Sequence, residues 1–165
     1  MMLFAAGPPR WHRDADGGLP TPAHEKAPGR PAVFVDKDGT LVEDLPGNAD
    51  PARLKLRHGA ADALAALAAR GFALLVATNE SDLARGCTTR AQFARLQAAL
   101  EKQLRDAAGV ELLDVLVCPH APGPDGHPSC LCRKPAPGLL TRAARRHDID
   151  LARSWMVGDT LDDVE

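Results

Sequence analysis

The segment Ala32-Val33-Phe34-Val35-Asp36-Lys37-Asp38-Gly39-Thr40 joins a short apolar run to an acidic turn. The apolar run, residues 32–35, is continuous rather than alternating, which is typical of a strand buried on both faces of a sheet. Two aspartates follow this run almost directly. Because ligands of open α/β sheets bind outside the carboxyl ends of the strands, the segment predicts both a buried strand and a functional site.

The rest of the chain alternates further apolar runs with stretches of helical periodicity. Strands are predicted at 72–77, 112–117 and 155–157, and helices at 60–70, from Thr88 or Thr89 to 104, and at 138–146. Strands that alternate with helices imply right-handed crossovers and a parallel sheet. We therefore predict an α/β fold, a Rossmann-like parallel sheet with helices on both faces.

Length and composition indicate one soluble globular unit. The chain has 165 residues, of which 45% are hydrophobic, with 20 lysines and arginines against 22 aspartates and glutamates. This balance gives no overall basic field for nucleic acid, and no apolar run approaches the roughly 20 residues of a membrane helix. We expect a cytoplasmic monomer that binds neither nucleic acid nor a membrane.

The N-terminal stretch differs in amino-acid composition from the rest of the chain. Residues 1–31 are rich in proline and glycine and lack a sustained apolar period, so they predict a disordered leader. The folded domain is then expected to span residues 32–165.

Polar residues follow every predicted strand. Their positions along the chain are Asp36 and Asp38, Thr78-Asn79, Cys118-Pro119-His120, and Gly158-Asp159. Since the carboxyl ends of parallel strands meet at one edge of the sheet, these residues are expected to lie together.

The acidic residues of this set predict a site for a divalent cation. Asp36 and Asp38 flank Lys37, so an extended chain would point both carboxylates to one side. At about 4 Å and an effective dielectric constant near 20, their repulsion is roughly 4 kcal/mol, which a hard cation such as Mg²⁺ removes. Asp159 could complete the site, and Asp163 is assigned to the metal or its surroundings. Aspartate and glycine are also common in ordinary turns.

A second set of residues predicts structural zinc. Cys118-x-His120 and Cys130-x-Cys132 supply three sulfurs and one imidazole, a donor set suited to tetrahedral Zn²⁺. The intervening residues 121–129 are rich in proline and glycine, so a metal would fix a loop that has no core of its own. The alternative is a group of free thiols beside an unrelated histidine.

In order along the chain, these motifs resemble those of the haloacid dehalogenase (HAD) superfamily of phosphatases. The matching motifs are Phe34-Val35-Asp36-Lys37-Asp38-Gly39-Thr40-Leu41, Thr78-Asn79, Lys134, and Gly158-Asp159 with Asp163. Three further stretches resemble the D-glycero-D-manno-heptose 1,7-bisphosphate phosphatases and the related histidinol-phosphate phosphatases. These stretches are 78–86, 118–120 and 130–135, and the whole resemblance runs from 32 to 163.

The resemblance implies a role for each acidic residue. Asp36 would attack phosphorus and form an aspartyl-phosphate, and Asp38 would protonate the leaving oxygen and then deprotonate water. Mg²⁺ would be held by Asp36, the backbone carbonyl of Asp38, and Asp159. Asp163 would ligate the ion or support its ligands.

The resemblance also implies the substrate-binding residues. Thr78, with Asn79 beside it, and Lys134 would hold the phosphoryl oxygens through the transition state. Arg133 would offer a planar fork to a second phosphate or to sugar hydroxyls. Without the resemblance, Arg133 and Lys134 would be interpreted as a solvated basic pair.

The function implied is Mg²⁺-dependent hydrolysis of a small phosphorylated metabolite, the C7 phosphate of D-glycero-D-manno-heptose 1,7-bisphosphate. One alternative is a histidinol-phosphate phosphatase. Another is a catalytically inactive remnant that binds phosphorylated ligands, because Glu80, Asp82 and Thr160 depart from the family pattern. Relatives continue past the position of Glu165, and we expect this chain to lack their last helix and strand. A nucleic-acid phosphatase is disfavoured, since aromatic residues make up only 4%.

Overall fold

The computed structural model describes residues 29–163 of the chain. Most of the predicted leader, residues 1–28, therefore lies outside the described residues. The last three residues assigned to that leader lie within them, and Arg30 pairs with Ile149 in an isolated parallel bridge. The Arg30 N–H also donates to the carbonyl of Asp148 at 2.9 Å.

Four parallel strands form the sheet, in the spatial order β3-β2-β1-β4. The strands are β1 Ala32–Val35, β2 Ala73–Asn79, β3 Asp114–Cys118 and β4 Trp155–Val157. The helices are α1 Ala60–Ala69, α2 Ser81–Arg85, α3 Arg90–Ala108 and α4 Gly138–His147. Short 3₁₀ turns occupy Pro51–Arg53, Leu151–Arg153 and Leu161–Asp163. The predicted α/β fold with a parallel sheet is confirmed.

The two faces of the sheet are covered by different helices. Side chains alternate along β1, so that Val33 and Val35 join one apolar cluster while Ala32 and Phe34 join another. The first cluster includes the buried residue of α1 and three of the four buried residues of α3, and the second includes the buried residues of α4. Burial on both faces explains why β1 is a continuous apolar run.

The longest helix, α3, has recognisable signals at both ends. The Thr89 hydroxyl accepts the Gln92 N–H at 3.2 Å, and the Gln92 side chain accepts the Thr89 N–H at 2.8 Å, forming a capping box. Gly109 ends the helix in the left-handed conformation at φ 64°. The predicted apolar stripe is buried, and its members are Phe93, Leu96, Leu100 and Leu104.

Strand register places the candidate residues at one edge of the sheet. Val35 pairs with Val76 on one side and with Val157 on the other, and Asn79 pairs with Cys118. The segments that follow these strands therefore leave the sheet in the same direction. Strand β2 extends two residues beyond its predicted end, and the short helix α2 was not predicted.

Strand β4 lies at the outer edge of the described sheet. Its side chains Trp155 and Val157 are 66% and 45% exposed. Within residues 29–163, no helix has both the length and the apolar character that crossing a membrane would require.

Candidate functional site

The chain turns sharply just after Asp36. The carbonyl of Lys37 accepts the N–H groups of Leu41 and Val42, both at 2.9 Å. Gly39 adopts φ +80°, and a Cβ atom there would lie 2.1 Å from Oδ2 of Asp159. Only glycine allows this turn to approach the carboxylate so closely.

Three carboxylates come together beneath this turn. Oxygen atoms of Asp36, Asp159 and Asp163 all lie within 4.8 Å of one another, and we call these residues the carboxylate group. Asp36 and Asp163 are buried, whereas Asp159 is exposed. A donor set made only of carboxylate oxygens fits a hard cation such as Mg²⁺.

Asp38 does not join the carboxylate group through its side chain. Its carboxylate is 42% exposed and lies 3.0 Å from the ammonium of Lys37. The expectation that Asp36 and Asp38 point the same way assumed an extended chain, but residues 37–41 form a turn. Both aspartates nevertheless line one cavity, and coordination by the backbone carbonyl of Asp38 stays a prediction.

Lys134 connects two members of the carboxylate group. Its buried ammonium donates to Oδ1 of Asp36 and to Oδ1 of Asp163, each at 2.5 Å. Burial raises the pKa of Asp36 to about 6, although the positive charge of Lys134 acts in the opposite direction. Asp36 is therefore largely ionised at neutral pH, as a nucleophile or metal ligand must be.

Asn79 fixes the backbone of Lys134. Its amide nitrogen donates to the Lys134 carbonyl at 3.2 Å, and its amide oxygen accepts the Lys134 N–H at 3.1 Å. Asn79 was predicted as a substrate-binding residue. It does line the cavity, but its side chain is already occupied in positioning Lys134.

Asp163 is held by a residue that sequence reasoning did not place in the site. Its Oδ2 accepts the N–H and the hydroxyl of Thr160, at 3.2 and 2.8 Å. A Cβ atom on Gly158 would lie 2.1 Å from the Asp163 carboxylate, so this glycine also permits a close approach. The three-residue spacing from Thr160 to Asp163 is the signal that could have predicted the contact.

A cavity of about 200 Å³ opens above these residues, and we call it the catalytic cavity. Its lining includes all six residues predicted to be catalytic or substrate-binding. The full lining is Asp36, Asp38, Thr78, Asn79, Arg133, Lys134, Thr160 and Asp162. The guanidinium of Arg133 is held at its edge by Ser81 Oγ at 2.8 Å and by the carbonyl of His120 at 3.1 Å.

A second cavity of about 190 Å³ adjoins the first and shares Asp38 and Asn79 with it. We call it the acidic cavity, since five of its lining residues are acidic and none of the described lining residues is basic. The acidic members are Asp38, Glu43, Asp44, Glu80 and Asp82. The half-buried carboxylate of Glu80 lies 2.6 Å from the ammonium of Lys37, so the negative charge of Glu80 is neutralised locally.

The four predicted zinc ligands also come together. Ligand atoms of Cys118, His120, Cys130 and Cys132 lie within 4.8 Å of one another, and we call them the thiol cluster. Five of the distances between them are 3.3–3.6 Å. A Zn–S bond of about 2.3 Å implies tetrahedral edges of roughly 3.8 Å, close to these values. The sulfurs are too far apart for a disulfide, which requires about 2.05 Å.

The thiol cluster contacts the edge of the catalytic cavity. The Arg133 N–H donates to Sγ of Cys130 at 3.3 Å. Burial opposes ionisation of Cys130, but hydrogen bonds that include this one lower its pKa to about 7. Burial raises the pKa of Cys118 to about 12. Because the Arg133 N–H is bound to Cys130, the loop that carries the thiol cluster also fixes the backbone of Arg133.

Comparison with protein families matches residues 48–165 to the haloacid dehalogenase-like hydrolases. Among curated relatives, the D-glycero-beta-D-manno-heptose-1,7-bisphosphate 7-phosphatase of Yersinia pestis is 39% identical over 140 residues. The alignment covers 82% of this chain and 73% of the relative. The enzyme with the same name from Escherichia coli K12 is 40% identical over 138 residues, covering 82% and 72%.

Two solved structures have similar folds. A protein of Mesorhizobium loti, described as a HAD-like phosphatase, has a TM-score of 0.74 and 38% identity, over 82% of this chain and 66% of that one. The D,D-heptose 1,7-bisphosphate phosphatase of B. bronchiseptica, complexed with magnesium and phosphate, has a TM-score of 0.71 and 33% identity, over 81% and 73%. The family match covers more than half of the chain, and the curated relatives exceed 30% identity. The chain therefore belongs to the haloacid dehalogenase-like hydrolase family.

Proposed function

We propose that this protein is a Mg²⁺-dependent phosphatase that hydrolyses a sugar phosphate monoester through an aspartyl-phosphate. The proposed substrate bond is the C7 phosphate ester of D-glycero-D-manno-heptose 1,7-bisphosphate. The observation that carries the proposal is the lining of the catalytic cavity, where all six predicted catalytic and substrate-binding residues meet. The names of the curated relatives support the choice of substrate.

The carboxylate group fits the proposed metal. Asp36, Asp159 and Asp163 offer oxygen atoms within 4.8 Å of one another, and such oxygens are the ligands that Mg²⁺ prefers. When bound there, Mg²⁺ offsets the repulsion between an anionic nucleophile and an anionic phosphate. Asp36 and Asp159 would hold it, with Asp163 as a further ligand or a support.

The proposed first step uses the two aspartates of the turn. A carboxylate oxygen of Asp36 forms a bond to phosphorus while the bond between phosphorus and the ester oxygen breaks. Asp38, which is less buried than Asp36, gives its proton to the departing oxygen. Lys134 provides an ammonium group beside the transferring phosphoryl group. Thr78 lines the same cavity, and its O–H, which donates to Glu80 in the structure, would turn to a phosphoryl oxygen when substrate binds.

The second step returns the protein to its starting state. Asp38, now ionised, takes a proton from water, and the water oxygen attacks the phosphorus of the aspartyl-phosphate. The bond between phosphorus and Asp36 breaks and inorganic phosphate leaves. Arg133 stands at the cavity edge, where its remaining donors could contact a second phosphate or sugar hydroxyls.

We also propose that the thiol cluster holds structural zinc. The spacing of its ligand atoms and the absence of a disulfide among its cysteines support this assignment. The metal would tie residues 118–120 to residues 130–132 and so hold the segment that carries Arg133 and Lys134.

A second candidate is a histidinol-phosphate phosphatase. The observation that favours it is the acidic cavity, which shares Asp38 with the catalytic cavity. Carboxylates such as Glu43, Asp44 and Asp82 would attract a cationic leaving group and repel a second phosphate.

The test is phosphate release from a panel of heptose 1,7-bisphosphate, histidinol phosphate and simple sugar monophosphates, with Mg²⁺ present. Asp36→Asn should abolish turnover on every substrate, while Asp62→Asn, an exposed position on α1, should leave it unchanged. Turnover that persists in Asp36→Asn would contradict the proposed nucleophile. A folded, Mg²⁺-loaded wild-type protein that releases no phosphate from any monoester would favour the inactive phospho-ligand-binding alternative.

A further inference from the structure

The buried Lys37 and the half-buried Glu80 form an ion pair that contacts two residues of the catalytic cavity, Asp38 and Thr78. The ammonium of Lys37 lies 2.6 Å from Oε1 of Glu80 and 3.0 Å from Oδ2 of Asp38. The Lys37 and Glu80 side chains are only 11% and 13% exposed. The same ammonium lies 5.5 Å from the centroid of the Phe93 ring, near the start of α3. Lys37 is thus held on three sides.

Glu80 extends this contact into a continuous chain of polar groups. Its Oε1 also accepts the hydroxyl of Thr78 at 3.1 Å. Its backbone N–H donates to the carbonyl of Cys118 at 2.8 Å, which fixes the position of Glu80 beyond the end of β2. The chain Thr78, Glu80, Lys37, Asp38 therefore links a residue beside the phosphoryl group to the proposed general acid.

An ion pair that is largely removed from water contributes little to the free energy of folding. Removing two charges from water carries a desolvation cost that often equals or exceeds their mutual attraction, and an apolar pair of similar volume commonly does as well. Here the lysine also reaches the partly exposed carboxylate of Asp38. Among residues 29–163, the side-chain contact made by the Asp38 carboxylate is its ion pair with Lys37, so the pair is placed to control the orientation of Asp38.

We propose that Glu80 is a positioning residue for the general acid. Its carboxylate holds the ammonium of Lys37, and Lys37 in turn holds Asp38 towards the departing oxygen. This inference rests on the proposed phosphatase activity and deepens it. Without Glu80, the ammonium of Lys37 keeps Asp38 and the Phe93 ring as its partners within the described part of the chain, and both Lys37 and Asp38 gain freedom to move.

The test compares leaving groups, because only a poor leaving group needs a proton from Asp38. An alkyl monoester must be protonated as its oxygen departs, whereas p-nitrophenyl phosphate releases a stable anion. The measured quantity is kcat/KM, which covers the steps up to release of the first product. General acid catalysis is typically worth about 100- to 10,000-fold, and we expect Glu80→Ala to lose roughly tenfold on the alkyl ester.

The expected result is selective. Glu80→Ala and Lys37→Met should each lower kcat/KM for the alkyl ester and leave the value for p-nitrophenyl phosphate within about twofold. The double variant should lose no more than the larger single loss, since both residues act through one contact. Glu111→Ala, at an exposed position outside both cavities, is the matched control.

Other outcomes would overturn the inference. Equal losses on both esters would show a general structural role, and no loss on either would show that Glu80 does not position Asp38. Crystal structures of the wild type and Glu80→Ala decide the same question without activity, because an unmoved Asp38 carboxylate contradicts the proposal. If the wild type cleaves neither ester, the proposed function is wrong. The two crystal structures would still show whether Glu80 determines the position of the Asp38 carboxylate.

Discussion

The ammonium of Lys134 donates to the carboxylate of Asp36 at 2.5 Å, across 98 positions of sequence. Both groups are buried, and the same ammonium donates to Asp163. One cation therefore partly neutralises two buried acids whose mutual repulsion would otherwise work against folding. The arrangement explains how the carboxylate group can exist before a metal binds to it.

Lys134→Met is expected to destabilise the protein by about 3–5 kcal/mol, since it leaves buried carboxylates without their cation. Urea unfolding measures this loss, and added Mg²⁺ should recover part of it. Lys102→Met removes an exposed ion pair on α3 and should change stability by no more than about 0.5 kcal/mol. Equal effects of the two substitutions would contradict the role given to Lys134.

Mg²⁺ affinity should depend on pH through Asp36. Burial raises the pKa of this carboxyl to about 6, and the ion binds its ionised form. Affinity is therefore expected to be full about one pH unit or more above 6, to be halved at pH 6, and to fall by about a further fivefold between pH 6 and 5. Calorimetric titration with Mg²⁺ at several pH values tests this. A constant affinity from pH 7.5 to 5 would exclude Asp36 as a ligand.

Gly39→Ala should damage the carboxylate group more than the same change elsewhere. A Cβ atom at Gly39 would lie 2.1 Å from Oδ2 of Asp159, whereas one at Gly59, with φ +77°, would meet nothing within 4 Å. Gly59→Ala therefore reports the cost of the left-handed backbone alone, roughly 1–2 kcal/mol.

For Gly39→Ala we expect a larger loss of stability and weaker Mg²⁺ binding, measured by thermal unfolding with and without the ion. If the two alanine variants behave alike, the close approach of the turn to Asp159 is unimportant.

Loss of one thiol should remove the zinc proposed for the thiol cluster. Cys130→Ser is expected to lose the metal found by elemental analysis and to unfold at a lower temperature. A loss of about 3 kcal/mol corresponds to roughly 6–12 °C in Tm for a domain of this size. Cys87→Ser changes an exposed cysteine outside the cluster and should have neither effect. Wild-type protein without zinc would refute the assignment.

The sequence was most informative where hydrophobic burial decides the structure. Strands 32–35 and 155–157 were predicted with the bounds that the structure shows, and α3 begins at one of the two expected caps. The parallel topology then accounts for the meeting of Asp36, Thr78 and Lys134, since strand ends share one edge of the sheet. Periodicity and topology were sufficient for these features.

Side-chain orientation beyond the strands could not be predicted in the same way. The two-residue alternation ends where the chain turns after Asp36, and the Asp38 carboxylate faces Lys37 rather than the carboxylate group. Glu80, which departs from the family pattern, pairs with Lys37. The Asp38 orientation follows from the turn at residues 37–41, and the Lys37–Glu80 pair joins residues distant in sequence. Strand periodicity specifies neither of them.

The carboxylates proposed to bind Mg²⁺ come from opposite ends of the described fold. Asp36 lies 98 positions before Lys134, and Asp163 lies 29 positions after it. Local folding of either end cannot assemble these oxygens, because loop-closure entropy must be overcome before such remote groups meet. Binding of Mg²⁺ should therefore depend on assembly of the complete sheet and not on formation of the helices and strands alone. A chain in which every helix has formed but β4 has not joined the sheet would show the helical circular dichroism of the folded protein and would not bind Mg²⁺.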